Sequence, residues 1–401
     1  MREVTDMGKR NLDEIIERRG TGSIKYDLAE RMHMPEDVLP LWVADMDFRA
    51  PECVTEALKA AAEHGIFGYS EPMPGYYDAM CAWYLRNFRW KIDPSWVIQT
   101  PGVVYALSNA VRAFTAPGDP VLIQRPVYYP FTDVIEKNGR RVVNNPLKLV
   151  NGMYFMDLED LEEKIIRENV RLMILCSPHN PVGRVWTKQE MLKFGEIVRR
   201  HGLIVVSDEI HSDFVYPGYR HHVFSATCPE MADYSVICTA PSKTFNLAGL
   251  QVSNIVVEND QLRDMLKTEI GRSGYGQCNQ LGLLACKAAY EGGQEWLDEV
   301  RAYIKGNLDY VRKFTEERLP MIRVIEPEGT YLLWMDFSGL RLNAEELNQL
   351  IIGKARLWLD DGEMFGEEGR NFQRWNLACP RSVLVEALER LEAAVREKFL
   401  S

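Results

Sequence analysis

Lys243 stands in the segment Thr239-Ala-Pro-Ser-Lys-Thr-Phe-Asn246, directly after the apolar run Tyr234–Thr239. A lysine so placed is partly desolvated and flanked by hydroxyls. Burial disfavours the ammonium form, and the neutral amine is the form that attacks an aldehyde to make an imine. An exposed lysine in a turn is the alternative reading. Asp208 closes the run Leu203-Ile-Val-Val-Ser-Asp-Glu-Ile-His211, where apolar residues deliver a carboxylate at the end of a strand. Such an acid can hold a proton on a heterocyclic nitrogen, or it can cap a helix. Its neighbour Glu209 reads as a solvated or structural charge. Asn180 lies in Ser177-Pro-His-Asn-Pro-Val-Gly183, where two prolines and a glycine impose an irregular turn able to push one amide into a site, although Asn-Pro turns are common. Thr100-Pro101 lead into Gly102, Val103 and Val104 and an apolar helix reaching about Phe114; a helix N-terminus with free N–H groups binds phosphate. In Pro126-Val-Tyr-Tyr-Pro-Phe131, Tyr128 can lie on a flat ring, though tyrosines more often serve in cores and interfaces.

An imine-forming lysine, an acid for a pyridine nitrogen, a donor to a ring hydroxyl, a stacking aromatic and a phosphate cradle are what pyridoxal 5′-phosphate (PLP) chemistry requires. All five occur in order at the ends of expected strands, where open α/β sheets bind their ligands. The strand expectations are Val121–Gln124, Arg171–Cys176, Leu203–Ser207, Tyr234–Thr239 and Ser253–Val257. Their apolar runs are continuous, as in parallel strands covered on both faces. Thr187 to His201 reads as a helix, with Thr187 as N-cap, Glu190 completing a capping box and Gly202 beyond the end. After about Gly292 the pattern changes to a long charged helix from Glu295 to Glu317, strands at Ile322–Glu326 and Thr330–Phe337, a helix near Ala344–Ile352, a strand at Phe372–Leu377 and a final helix from Ser382 to Phe399. The expected division is a large domain over 51–292 and a smaller α+β domain built from 1–50 and 293–401.

Composition narrows the function classes. The 401 residues are 46% hydrophobic, 10% aromatic and 26% charged, an ordinary globular balance. A net charge of −11, from 47 basic against 58 acidic residues, argues against nucleic-acid binding. No run approaches the roughly 18 apolar residues of a membrane span, and the charged stretch Met1 to Arg19 has no signal-peptide core, so a cytoplasmic location is expected. The eight cysteines (53, 81, 176, 228, 238, 278, 286 and 379) form no C-x-x-C pair and suggest reduced, mainly buried thiols without a metal site.

Together these segments resemble the class I/II aminotransferases. The Asn-Pro-x-Gly turn, the Ser-Asp-Glu stretch and the Ser-Lys pair come in the same order, at intervals of 208 − 180 = 28 and 243 − 208 = 35 positions. The resemblance covers essentially the whole chain. It implies the fold-type-I PLP-dependent transferase fold, α/β with a mostly parallel seven-stranded sheet in the large domain, and a homodimer with shared active sites. Leu41-Trp-Val-Ala-Asp-Met-Asp-Phe48, Pro126-Val-Tyr-Tyr-Pro130, Ala240-Pro-Ser-Lys-Thr-Phe-Asn246 and Arg374-Trp-Asn-Leu-Ala-Cys-Pro-Arg381 look like the cystathionine β-lyase and cysteine-S-conjugate β-lyase branch. By that match Arg374 grips the substrate α-carboxylate, Tyr129 and Ala44 lie on the substrate side, and Tyr69 reaches the phosphate of the neighbouring subunit. Lys243, Tyr128 and Tyr69 form the implied catalytic set. Three positions depart from the broader pattern: His211 where many relatives carry a tyrosine on the ring hydroxyl, Ala240 in place of a phosphate-binding hydroxyl, and Gln251 in place of a phosphate-binding arginine. The phosphate then leans on Val103, Val104, Ser242 and Tyr69. The implied activity is β-elimination from a cysteine S-conjugate; transamination with the same residues and a regulatory role through protein contacts are the other readings.

Overall fold

In the computed structural model, residues 10–227 and 229–400 are described; Cys228 and the first nine residues of the charged N-terminal stretch lie outside them. The main sheet has seven strands: β1 (Val97–Thr100), β2 (Pro120–Ile123), β3 (Arg141–Asn144), β4 (Leu172–Cys176), β5 (Ile204–Asp208), β6 (Ser235–Thr239) and β7 (Ser253–Val256). Their spatial order is β1-β7-β6-β5-β4-β2-β3. β2, β3, β4, β5 and β6 run parallel, and β7 lies antiparallel to both β6 and β1. All residues of β4 and β6 are buried, as continuous apolar runs require when helices cover both faces.

Helices α1 (Val103–Phe114) and α2 (Lys188–His201) fall where their sequences place them. In α2 the Thr187 side chain accepts from the Glu190 N–H while Glu190 reaches back to the Thr187 N–H, and Gly202 ends the helix in a left-handed conformation at φ 60°. Two sheet strands were not among the five sequence expectations. β1 is a four-residue edge strand, and β3 is another edge with an exposed Arg141, so neither carries a long apolar run.

A second, antiparallel sheet has the order β8-β9-β11-β10, from β8 (Arg323–Val324), β9 (Leu332–Asp336), β10 (Asp360–Asp361) and β11 (Phe372–Asn376). Helices α3 (Gln294–Arg318) and α4 (Arg381–Leu400) pack beside it. The expected strand Ile322–Glu326 shortens to two paired residues, because Pro327 and Gly329 turn the chain away. The expected helix at Ala344–Ile352 is α-helical only over Ala344–Asn348 and widens into a π-turn at Gln349–Lys354.

The parallel register decides where chemistry can gather. Cys176 pairs with Asp208 and Asp208 with Cys238, so the carboxyl ends of β4, β5 and β6 lie level. Thr100 pairs with Ser253, which brings the end of β1 to the same edge. The loops carrying Gly102, Asn180, Asp208 and Lys243 therefore leave the sheet side by side.

Above that edge the irregular segment Leu41–Phe48 crosses from one sheet to the other. Met46 is gripped by Asn246, whose Oδ1 accepts from the Met46 N–H at 3.0 Å and whose Nδ2 donates to Met46 O at 2.9 Å. Asn376 donates to the carbonyls of Val43 and Asp45, and Arg374 to that of Trp42. The segment's own charges are neutralised from the N-terminal side. Buried Lys25 lies 2.6 Å from Asp47, and Arg18 pairs with both Asp45 and Asp47.

Candidate active site

Lys243 sits in a single helical turn, Pro241–Thr244, directly after β6. The turn is pinned from below. Thr244 donates its hydroxyl to buried Asp213 at 2.7 Å, and Asp213 also accepts from the Trp83 indole. The Lys243 Nζ donates to the Ala44 carbonyl at 2.7 Å, and the Tyr331 hydroxyl donates to the same oxygen at 2.9 Å. The side chain faces a cavity and is half-buried, yet its amine lies deep enough for desolvation to lower its pKa to about 8.

That cavity, of about 200 Å³, brings together nearly all the residues singled out from sequence. Gly102, Val103, Val104, Tyr128, Asn180, Asp208, His211, Ser242, Lys243, Gln251 and Ala44 line it. Asp208 is buried, accepts from the Ile210 N–H at 3.1 Å, and is pushed up to about 7 by desolvation. A carboxylate so placed gains from a cationic partner. His211 is buried with its Nδ1 unpartnered, and burial holds its pKa well below the usual range, so it enters the cavity as a neutral imidazole. At the start of α1 the first N–H with an intrahelical partner is that of Ala106, bonded to Gly102 O, which leaves the Val103 and Val104 N–H groups for a ligand. The space before Gly102 is open, since a Cβ there would meet no protein atom within 4 Å. Ala240 is buried beside the cavity and contributes no hydroxyl, while Gln251, left-handed at φ 50°, lines it.

Arg374, on β11, is 2% exposed and reaches the cavity through Asn180, whose Oδ1 accepts from Nη1 at 2.9 Å. Tyr129 stands between Tyr128 and Phe365. Tyr69 is not brought in: within one chain it is 94% exposed, on the segment that also exposes Ile66, Phe67 and Met73. Glu209 is structural and not solvated. It is 1% exposed and accepts from Ser207, the Phe224 N–H and His221. A larger cavity of about 430 Å³, between Phe214–Pro217 and α3, holds no comparable set; its Arg301 and Lys305 face Asp298 and Asp309.

Sequence reasoning missed Asp360, Tyr331 and Phe365. Asp360 pairs with Arg374 across the strands, Tyr331 shares the Ala44 carbonyl with the lysine, and Phe365 lays its ring 4.9 Å from the Arg374 guanidinium carbon. Asp360 sits in Leu357-Trp-Leu-Asp-Asp361, where only the contrast of a carboxylate with an apolar run hinted at burial.

An imine-capable lysine, a buried acid and a helix N-terminus converging at the carboxyl edge of a mostly parallel sheet define the architecture of a PLP enzyme. The chain belongs to the class I and II aminotransferase family, whose model matches residues 36–391. Within that family it is 45% identical to the cystathionine beta-lyase PatB of Bacillus subtilis, over 96% of this chain and all of the relative. Cystalysin of Treponema denticola, which contains a pyridoxal 5′-phosphate cofactor, superposes with a TM-score of 0.94 at 38% identity, covering 98% of this chain and 100% of that one. The PLP-bound C-S lyase of Staphylococcus hominis gives a TM-score of 0.91 at 32% identity, covering 97% and 99%. Pyridoxal 5′-phosphate is the cofactor of the family, and the residues lining this cavity fit it.

Proposed function

We propose that this enzyme is a carbon–sulfur β-lyase that cleaves cystathionine or related cysteine S-conjugates to pyruvate, ammonia and a thiol. The observation that carries the reading is the lysine itself. Its amine is desolvated, has a pKa of about 8 and is held on the Ala44 carbonyl in one cavity with Asp208, in a chain 45% identical to a cystathionine beta-lyase. When bound, pyridoxal phosphate supplies an aldehyde for the substrate amine and a ring that accepts the electron pair left at Cα.

The protein's own groups then have separate tasks. Asp208 would hold the pyridine nitrogen proton, an ion pair that would stabilise a carboxylate burial alone disfavours. Asn180 and neutral His211 would hold the ring hydroxyl and Tyr128 the ring face, since all three line the cavity. The N–H groups of Val103 and Val104 with Ser242 would hold the phosphate, and Tyr69 of a second subunit would join them. Arg374 grips the substrate α-carboxylate, with Tyr129 and Ala44 beside it. This fixes the Cα–H bond toward Lys243, whose Nζ takes the proton as the Cβ–S bond breaks with its electron pair on sulfur. Released aminoacrylate hydrolyses to pyruvate and ammonia.

Two assembly proposals accompany this. Residues 51–292 form the large domain and 1–50 with 293–401 the small one; support comes from the separate sheets bridged by Leu41–Phe48. The enzyme acts as a homodimer through the exposed apolar segment Ile66–Met73, which a second copy covers. We place it in the cytoplasm, a location supported by the seven described cysteines, all free thiols; no described helix is long and apolar enough to cross a membrane.

With L-cystathionine and no keto acid, the expected result is continuous release of pyruvate and thiol in a ratio near 1:1. An oxo acid limited to one equivalent per site with no thiol released, or turnover that depends on added keto acid, would instead identify an aminotransferase.

A further inference from the structure

Arg374 does not stand in its site as a free cation. Asp360, equally buried, lies against it, with Oδ2 accepting from Nη2. The two are register partners on β10 and β11, so the sheet fixes the carboxylate beside the guanidinium, where an arriving ligand cannot displace it. The remaining neighbours are uncharged: Asn180 Oδ1 at 2.9 Å, the Trp42 carbonyl at 3.0 Å and the Phe365 ring. The Arg374 Nε is buried and has no partner. A guanidinium meant only to attract anions would do better without that carboxylate, because two anions close together in poorly solvated surroundings repel.

We infer that Asp360 is a counter-charge that holds down the carboxylate affinity of Arg374 and makes the site selective for amino acids whose side chain carries no net negative charge. This rests on the reading of Arg374 as the α-carboxylate partner and deepens it by naming the substrate class. The charged residues lining the cavity are Asp208 and Lys243, and Arg374 behind them is already paired. An acidic amino acid such as aspartate adds an anion that nothing in this lining balances, whereas the distal carboxylate of cystathionine brings its own ammonium. An uncharged sulfur substituent adds none.

The test is calorimetric titration of the holoenzyme with propionate, which has a carboxylate but no amine to react with the cofactor. Asp360→Asn keeps an oxygen facing Nη2 and removes the charge, so propionate should bind about tenfold more tightly. A merely structural Asp360 predicts the opposite sign, and unchanged or weaker binding in the variant overturns the inference. Arg374→Ala separates the two levels of the argument. Retained propionate binding there sinks the carboxylate reading, whereas loss there with no tightening in Asp360→Asn sinks the inference alone. The unaltered enzyme gives a second measurement that needs no variant to fold. At equal ionic strength succinate should bind no more tightly than propionate, and tighter succinate binding also overturns the inference.

Discussion

At pH 7 an exposed lysine with the ordinary pKa of 10.5 is neutral in about 0.03% of molecules, whereas Lys243, lowered by burial to about 8, is neutral in about 10%. The ratio is about 300, and to first order it is the advantage of this amine over any surface lysine in attacking an aldehyde. Cofactor-stripped protein mixed with pyridoxal phosphate at a series of pH values should therefore form its visible absorption band at a rate that climbs with pH and levels off near 8. Borohydride reduction followed by peptide mapping should place the label on Lys243. Asp45 supplies a check on cause. Its charge raises the Lys243 pKa against the larger effect of desolvation, so Asp45→Asn should move the inflection to lower pH. A rate still rising beyond pH 10, or a label on another lysine, would refute the argument that burial activates this amine.

Asp208 has a folded pKa of about 7, above its ordinary 3.8, so its contribution to stability is complete below the lower value and lost as pH rises through the higher one. In cofactor-free protein, the stability of Asp208→Asn relative to wild type should accordingly grow by about 2.5 kcal/mol between pH 5 and pH 8 in denaturant unfolding, and a pH-independent difference would contradict the buried-acid reading. For the shared site, mixing Lys243→Ala with an impaired Tyr69→Ala variant should restore part of the activity, because one site of each hybrid dimer carries neither lesion. No recovery after verified subunit exchange would mean that each site is built from one chain.

What the sequence made legible follows from where signals are local. The five central or near-central strands announce themselves because burial on both faces demands unbroken apolar runs. The edges β1 and β3 carry no such demand. Likewise Asp208 ends a strand and Asn180 and Lys243 each follow one within a few residues, so a strand end and a suitable side chain suffice to find them. Asp360 and Tyr331 gain their meaning from contacts with Arg374 and with the Ala44 carbonyl, the latter 287 positions away from Tyr331, and no local pattern encodes such a contact. Tyr69 could be named only by resemblance; in a single chain its surroundings are solvent.

The segment Leu41–Phe48 is tied at one end to Asn246, three residues beyond the lysine, and at the other to Arg374 and Asn376 on the last strand. The carbonyl that receives the lysine thus belongs to the first eighth of the chain and is set in place by residues from the last. During synthesis those early residues must wait for their last anchors while more than three hundred others are added. The Arg374 charge, which adds to desolvation in lowering the lysine's pKa, arrives only with that final strand. A chain that ends before β11 therefore carries every strand of the main sheet but lacks the Arg374 and Asn376 contacts that set the Ala44 carbonyl beside the lysine.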